Sequence, residues 1–240
     1  EQGYCVEILT NGTLMTSQII QFLSKKNVKV RISLDGCTPE THEWMRGKGT
    51  FSKAIRAIES ARDANINIGI TTSISDHNFH EIEEILKLVD DLKVNFFQFI
   101  IVNQLGRAIK SIATYLSDAT IYEKFYVVAK DRPDFRESMR DSTLGNMIAC
   151  NITGLFFHHC GLGLQKNYYV QANGDMFPCR ATILPELKLG NVRELELTSF
   201  IDFKNEKLEE LQQLKVDSLN PTCSSCSFRY WCSGDCRGET

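Results

Sequence analysis

Val28-Lys29-Val30-Arg31-Ile32-Ser33-Leu34-Asp35-Gly36 (VKVRISLDG, residues 28–36) alternates branched apolar residues with polar ones and stops at Asp-Gly. That pattern reads as a strand ended by a turn. Upstream, Val6–Leu9 is a shorter strand stopped by Asn11-Gly12, and Thr16–Lys26 is a helix with Ile19, Ile20 and Leu23 on one face. Downstream, Phe51–Asn65 repeats the helical spacing through Ile55, Ile58 and Ala61. Ile66–Ser73 is a strand, Phe79–Leu92 a helix and Phe96–Val102 a further strand, whose Phe96, Phe97 and Phe99 read as buried core. The βαβαβαβ order predicts an α/β fold with a parallel sheet covered by helices. Right-handed crossovers make it an arc of a barrel or an open sheet.

Beyond this region the pattern weakens. Asp118–Lys130 reads as a helix and Arg132–Gly145 as a charged bridge. Near residue 145 the character changes, which divides the chain into domains of residues 1–145 and 146–240. In the second, Tyr168–Gln171 and Met176-Phe177 flank the turn Asn173-Gly174-Asp175, a hairpin signal. Glu206–Lys215 reads as a polar helix, and the remainder as loop punctuated by cysteines.

The 240 residues are 42% hydrophobic and 24% charged, enough to build a core. A net charge of −3 gives no footprint for nucleic acid. No apolar run reaches the length of a membrane span. Glu1–Cys5 is not a signal peptide, lacks an initiator Met and leads directly into a strand, so the chain reads as a segment of a longer protein. Nine cysteines is an odd number, and seven of them lie from Cys150 onward. That gradient suits a reducing cytoplasm and a metal-binding C-terminal module rather than a secreted disulfide framework.

The cysteines are ordered as Cys160-x13-Gly174-x4-Cys179, then Cys223-x2-Cys226-x5-Cys232-x3-Cys236. Thiolates at such spacings hold zinc or an iron–sulfur cluster, and spacing alone leaves both open. His158 and His159 adjoin Cys160 as ligand or neighbouring donor. Cys5 reads as a small apolar residue packed in a strand. Cys37 follows the Asp35-Gly36 turn, as a loop thiol or a substrate-facing one.

These intervals resemble the SPASM domain of radical S-adenosylmethionine (SAM) enzymes, as do Cys160-Gly161-Leu162-Gly163, Asn173-Gly174-Asp175, Phe177-Pro178-Cys179 and Gly190-Asn191-Val192. The first half is similar to the middle of the radical SAM barrel: Leu9–Thr13, Ile32–Gly36, Thr41-His42-Glu43-x2-Arg46-Gly47 and Leu105-Gly106-Arg107-Ala108. The resemblance implies strands 3–6 of a partial (β/α)6 TIM-like barrel, followed by a small Cys-rich iron–sulfur domain. The family's Cys-x3-Cys-x2-Cys loop and its Gly-Gly-Glu segment are not among these residues, so the segment alone is expected not to cleave SAM.

The resemblance further implies two auxiliary 4Fe–4S clusters. The first takes Cys160, Cys179, Cys236 and, as the natural candidate, Cys150. The second takes Cys223, Cys226, Cys232 and a cysteine beyond Thr240. Ser33 and Arg46 correspond to SAM contacts, Asn11 faces the same cavity, and Asp35 positions substrate or accepts a proton in a half-buried mouth. The implied full-length activity is modification of a peptide or protein substrate through hydrogen abstraction by a 5′-deoxyadenosyl radical. The auxiliary clusters would assist electron transfer, and flavodoxin or ferredoxin would be the electron donor. Two other readings stand beside it: a non-catalytic iron–sulfur electron-transfer or scaffold protein, and a zinc-bound interaction module.

Overall fold

The computed structural model describes residues 5–102, 118–138, 168–180, 182–194, 209 and 221–226. The chain divides into two units, Glu1–Ser142 and Thr143–Thr240.

The first unit is built on four strands: β1 (Val6–Thr10), β2 (Val28–Ser33), β3 (Asn67–Ile74) and β4 (Phe96–Ile101). They pair in parallel in the order β1-β2-β3-β4. Neighbours in space are neighbours in sequence, with no reversal. Right-handed crossovers then place every connecting helix on one side of the sheet, as in a barrel wall; a doubly wound sheet would reverse. Burial agrees. Val30, Ile32, Ile68, Ile70 and Ile74 are fully buried, with Phe99 close behind. They alternate with Arg31, Ser33, Gly69, Thr71, Ser73 and Gln98, which share the opposite face.

The helices are α1 (Ser17–Leu23), α2 (Pro39–Arg46), α3 (Phe51–Asp63), α4 (Ile82–Leu92), α5 (Asp118–Asp131) and α6 (Pro133–Ser138). Ala54, Ala57, Ile58 and Ala61 of α3 are buried, and α3 packs on β2 and β3. The alanines let helix and sheet approach closely. α4 buries Ile82, Ile85, Leu86, Val89 and Leu92 at helical spacing. Phe125 of α5 and Phe135 of α6 close on Phe99 with ring centroids 6.4 and 5.2 Å away. Three details differ from the sequence reading. α1 ends at Leu23, and of its expected apolar face only Leu23 is buried, because its neighbours Ile19 and Phe22 are exposed. Residues 79–81 form a 3-10 turn before α4. Pro39–Arg46 is a helix of its own, an element that the sequence reading did not assign.

The phenylalanine stripe is also divided. Phe96 lies over Gly69, where a Cβ would come within 2.2 Å of its ring, so only glycine admits it. The Arg31 guanidinium stacks 5.2 Å from the Phe96 centroid, donates from Nε to Glu7 at 2.8 Å and reaches Gln98 of β4. Phe96 is thus half-buried on the polar face, whereas Phe99 is core.

The described part of the second unit centres on an antiparallel sheet of β5 (Tyr169–Val170), β6 (Asp175–Phe177) and β7 (Gly190–Asn191), in that order. Gly174 turns the hairpin at φ +93°, a backbone that side chains resist. Met176, Phe177, Leu187 and Leu189 are buried. A short helix, α7 (Pro221–Ser225), carries Cys223, with Cys226 directly after it; the sequence reading had only loop there. Apart from Glu209, which is helical, the expected helix at residues 206–215 lies outside the described residues.

Candidate functional site

The C-terminal ends of β2 and β3 carry a dense polar network. Asp35 follows β2 and is fully buried, not half-buried as the sequence suggested. Its Oδ1 accepts the Ser73 backbone N–H at 2.7 Å, and its Oδ2 accepts the Arg46 Nε–H. Its own N–H donates to His42 Nδ1 at 3.1 Å, and its carbonyl accepts from Asn78 Nδ2 at 2.8 Å. Asn78 is fully buried and also donates to the Ser73 carbonyl at 2.7 Å. Thr72 Oγ1 donates to the Leu34 carbonyl at 2.7 Å. The strand ends are therefore cross-tied, and the Asp35 carboxylate is spent on protein donors.

α2 is seated on this rim. Thr38 caps it, accepting the Thr41 N–H at 3.3 Å, Pro39 supplies a preset φ at its start, and Gly47 ends it at φ +93°. Gly36 has to lack a side chain here, since a Cβ would lie 2.6 Å from the His42 nitrogen. Glu81 clasps the same loop: it accepts from the Cys37 N–H at 3.1 Å, from Cys37 Sγ at 3.2 Å and from Thr41 Oγ1. Burial, reinforced by the Glu81 carboxylate, pushes the Cys37 thiol up to about 11. Cys37 is accordingly a protonated loop thiol and a poor nucleophile. Burial lowers His42 below the ordinary histidine range against the opposing pull of Asp35, so its Nδ1 stays an acceptor.

Arg46 sits in the last turn of α2 with its side chain 32% exposed. Its Nη2 lies 3.4 Å from Ser73 Oγ, and its Nη1 makes no hydrogen bond among the described residues. Ser33 is half-buried, with no hydrogen bond to its hydroxyl among the described residues. Thr71, its register partner on β3, is buried and its Oγ1 has no partner among the described residues. Arg46, Ser33 and Thr71 thus leave a guanidinium end and two hydroxyls unspent, a donor set suited to the polar, carboxylate-bearing end of a ligand. Asn11 lies elsewhere in its role. It is exposed, and its Oδ1 accepts from the Thr13 N–H at 3.1 Å and the Thr13 hydroxyl at 2.9 Å, a turn-forming pattern.

His42, Ser73, Asn78 and Thr71 were missed in the sequence. Asn78 had a local signal, because Ser75-x2-Asn78 closes its own turn with a Ser75 N–H to Asn78 Oδ1 bond of 2.8 Å. Cys5 is exposed just before β1, not packed in a strand.

In the second unit Cys179 follows β6 and is half-buried. Thr182, fully buried, braces it: its Oγ1 accepts the Cys179 N–H at 3.1 Å and approaches Cys179 Sγ at 3.6 Å. Lys188 Nζ lies 2.6 Å from Asp175 Oδ1, and Asn191 donates to the same oxygen at 3.0 Å. Those bonds, Lys188 first, hold Asp175 below the usual carboxylate range. Cys226 is half-buried. Cys150, Cys160, Cys232, Cys236, His158 and His159 lie outside the described residues, as does the Cys223 side chain. Among the described residues no group of three or more ligand side chains assembles.

Residues 1–89 match the Radical SAM superfamily, and residues 160–227 match an iron–sulfur cluster-binding domain, SPASM. The chain is 26% identical over 95% of its length to a serine-type anaerobic sulfatase-maturating enzyme of Bacteroides thetaiotaomicron, covering 60% of that protein. It is 28% identical, over 95% of its length, to the subtilosin biosynthesis protein AlbA of Bacillus subtilis, covering 50% of it. It is also 28% identical, over its whole length, to an AdoMet-dependent heme synthase of Methanosarcina barkeri, covering 71% of it. The chain thus spans between half and about seven-tenths of these relatives. Its fold superposes on anSMEcpe with bound AdoMet and Kp18Cys peptide at a TM-score of 0.70 and 23% identity, over 97% of this chain and 66% of that one. The parallel strand order and the cysteine spacing therefore agree with the two domain matches, radical SAM over residues 1–89 and SPASM over residues 160–227.

Proposed function

We propose that this chain is the barrel-wall and auxiliary-cluster portion of a radical SAM/SPASM maturase that modifies a peptide or protein substrate. The observation that carries the reading is the pairing, in one chain, of a SPASM cysteine pattern with a parallel-strand rim where the Arg46 Nη1 and the Ser33 and Thr71 hydroxyls have no partner among the described residues. Residues 1–145 serve as the barrel part and 146–240 as the SPASM part. SAM and iron–sulfur clusters supply the radical hydrogen abstraction when bound.

The chain's own residues hold these groups. Arg46 receives the SAM carboxylate and Ser33 donates to the same end of the molecule, whereas Asn11, engaged with Thr13, shapes the turn after β1. Cys160, Cys179, Cys236 and Cys150 hold one auxiliary 4Fe–4S cluster. Cys223, Cys226 and Cys232 hold part of a second. Thr182 keeps Cys179 at the end of its strand. Asp35, proposed from sequence as a catalytic group, is fully buried and engaged, which favours a supporting role at the rim. A low-potential flavodoxin or ferredoxin donates electrons, and the protein acts in the cytoplasm. No helix among the described residues is long and apolar enough to cross a membrane.

The peptide-directed reading draws on the sulfatase-maturating and subtilosin relatives; the heme synthase relative supports a second, in which the substrate is a heme precursor. The test is 5′-deoxyadenosine release by the anaerobic full-length protein with SAM and a reductant, with and without candidate peptides. Release stimulated by a peptide that gains or loses mass supports the proposal. Release without any peptide response, but with turnover of a heme precursor, supports the second reading. No release leaves the electron-transfer or scaffold alternative.

A further inference from the structure

We infer that Asp35 is a positioning residue: it orients Arg46 so that the terminal edge of the guanidinium, rather than its side, meets the carboxylate of SAM. This rests on Arg46 being the SAM contact proposed above.

The geometry supports it in three steps. First, the Asp35 carboxylate cannot move freely, because it is fully buried and Oδ1 is fixed by the Ser73 N–H at 2.7 Å. The backbone of Asp35 is fixed as well, through His42 Nδ1 at 3.1 Å and Asn78 Nδ2 at 2.8 Å. Second, α2, which carries Arg46, is held to the same rim by the absence of a side chain at Gly36 and by Glu81. Third, the Nε–H is taken by Asp35 and one Nη2 hydrogen faces Ser73 Oγ at 3.4 Å, which leaves Nη1 and the outer Nη2 hydrogen, the terminal edge, for a ligand. A guanidinium offers a planar fork with several possible edges, and fixing one side selects which fork remains.

Asp35 also has an opposing effect. Its negative charge beside Arg46 weakens the attraction of any second carboxylate, so neutralising it strengthens the local positive field. Orientation has to outweigh that loss for Asp35 to help binding, and the two effects predict opposite signs. Asp35→Asn separates them. The Asn carbonyl can still accept the Ser73 N–H, whereas its NH2 would face the Arg46 Nε–H, donor against donor. The turn is kept and the guanidinium is released.

The experiment measures equilibrium SAM binding and thermal unfolding of the full-length, anaerobically reconstituted protein, for wild type, Asp35→Asn, Arg46→Ala, Arg46→Lys and the Asp35→Asn/Arg46→Ala pair. The expected result is that Asp35→Asn weakens SAM binding about tenfold, as loss of preorganisation does. The pair should bind like Arg46→Ala alone, a non-additivity that a merely structural role would not give. Arg46→Lys keeps the charge but has no fork to orient, so it should bind nearly as poorly as Arg46→Ala; this arm stands even if Asp35→Asn does not fold. Unchanged or tighter binding by Asp35→Asn, equal losses in both Arg46 backgrounds, or wild-type binding by Arg46→Lys would overturn the inference while leaving Arg46 as a contact. Unchanged binding by Arg46→Ala would instead remove the contact on which it rests.

Discussion

The two units are held together by different means. The first buries long apolar runs, Val30 and Ile32 beside Ile68, Ile70 and Ile74, under helices with matching faces. Many of its polar groups at the rim, Asp35, Asn78 and Glu81 among them, find partners within the protein. The described part of the second has a small core of Met176, Phe177, Leu187 and Leu189, three short strands and an exposed hairpin at Tyr169-Val170. Small modules with little core rely on covalent or metal cross-links for stability. The contrast teaches that the first unit is an apolar fold that presents polar groups, whereas the described part of the second has only a small core, which the proposed cysteine-held clusters would supplement.

The sharpest break between them is Cys179→Ala. It should remove about four irons per chain from the full-length protein. It should also open the β5–β6–β7 amides to hydrogen exchange while leaving β2 and β3 protected, because metal binding and folding are coupled in such modules. Equal exchange in both units would show that they are not held differently. The reciprocal change, Ile70→Ala, deletes fully buried side-chain volume and should cost about 2–5 kcal/mol of stability in the first unit by denaturant unfolding. The iron bound at the second unit should not change.

His42 gives a smaller, pH-dependent effect. Burial holds its folded pKa below that of the unfolded chain, so the unfolded state takes up the proton first. Stability is then fully present above about pH 6.5 and declines as pH falls below it toward the depressed folded value. His42→Asn retains an acceptor for the Asp35 N–H without a titratable ring. It should flatten thermal stability between about pH 7.5 and 5.5 at a cost of about 1 kcal/mol at neutral pH. A slope unchanged by the substitution would assign it to other groups. In the second unit Asp175 has a corresponding half-buried arrangement, held low by Lys188 and then Asn191. Its contribution is present above the ordinary carboxylate pKa and is lost only as pH falls through the depressed value. Lys188→Ala should therefore reduce acid resistance of the hairpin slightly, an effect that salt also weakens.

How far the sequence could be read follows the same division. The parallel wall was legible because VKVRISL and INIGITTS alternate and the helices between them carry apolar faces. α2 was not read as a separate helix, because eight residues of mixed polarity give little periodicity, although the Thr38-Pro39 start and Gly47 stop are local signals. Phe96 was placed in the core because three phenylalanines within four residues hide their alternation; Gly69 on the neighbouring strand decides its face. Asp35 reads as a turn or catalytic carboxylate in sequence, because what buries it, Ser73 and Asn78, lies 38 and 43 residues away. The cysteine spacing was legible throughout, since ligand intervals are local by nature. The brace from Thr182 to Cys179 was not, as threonine has many other uses.

The most direct measurement is iron, acid-labile sulfide and zinc in full-length protein purified without oxygen, compared with a variant in which Cys160, Cys179, Cys223 and Cys226 are replaced by alanine. The account predicts that the variant loses about eight irons and an equal amount of sulfide, two 4Fe–4S clusters, and contains no zinc in either form. Zinc bound by the wild type at these cysteines, with iron and sulfide unchanged by their removal, would contradict it.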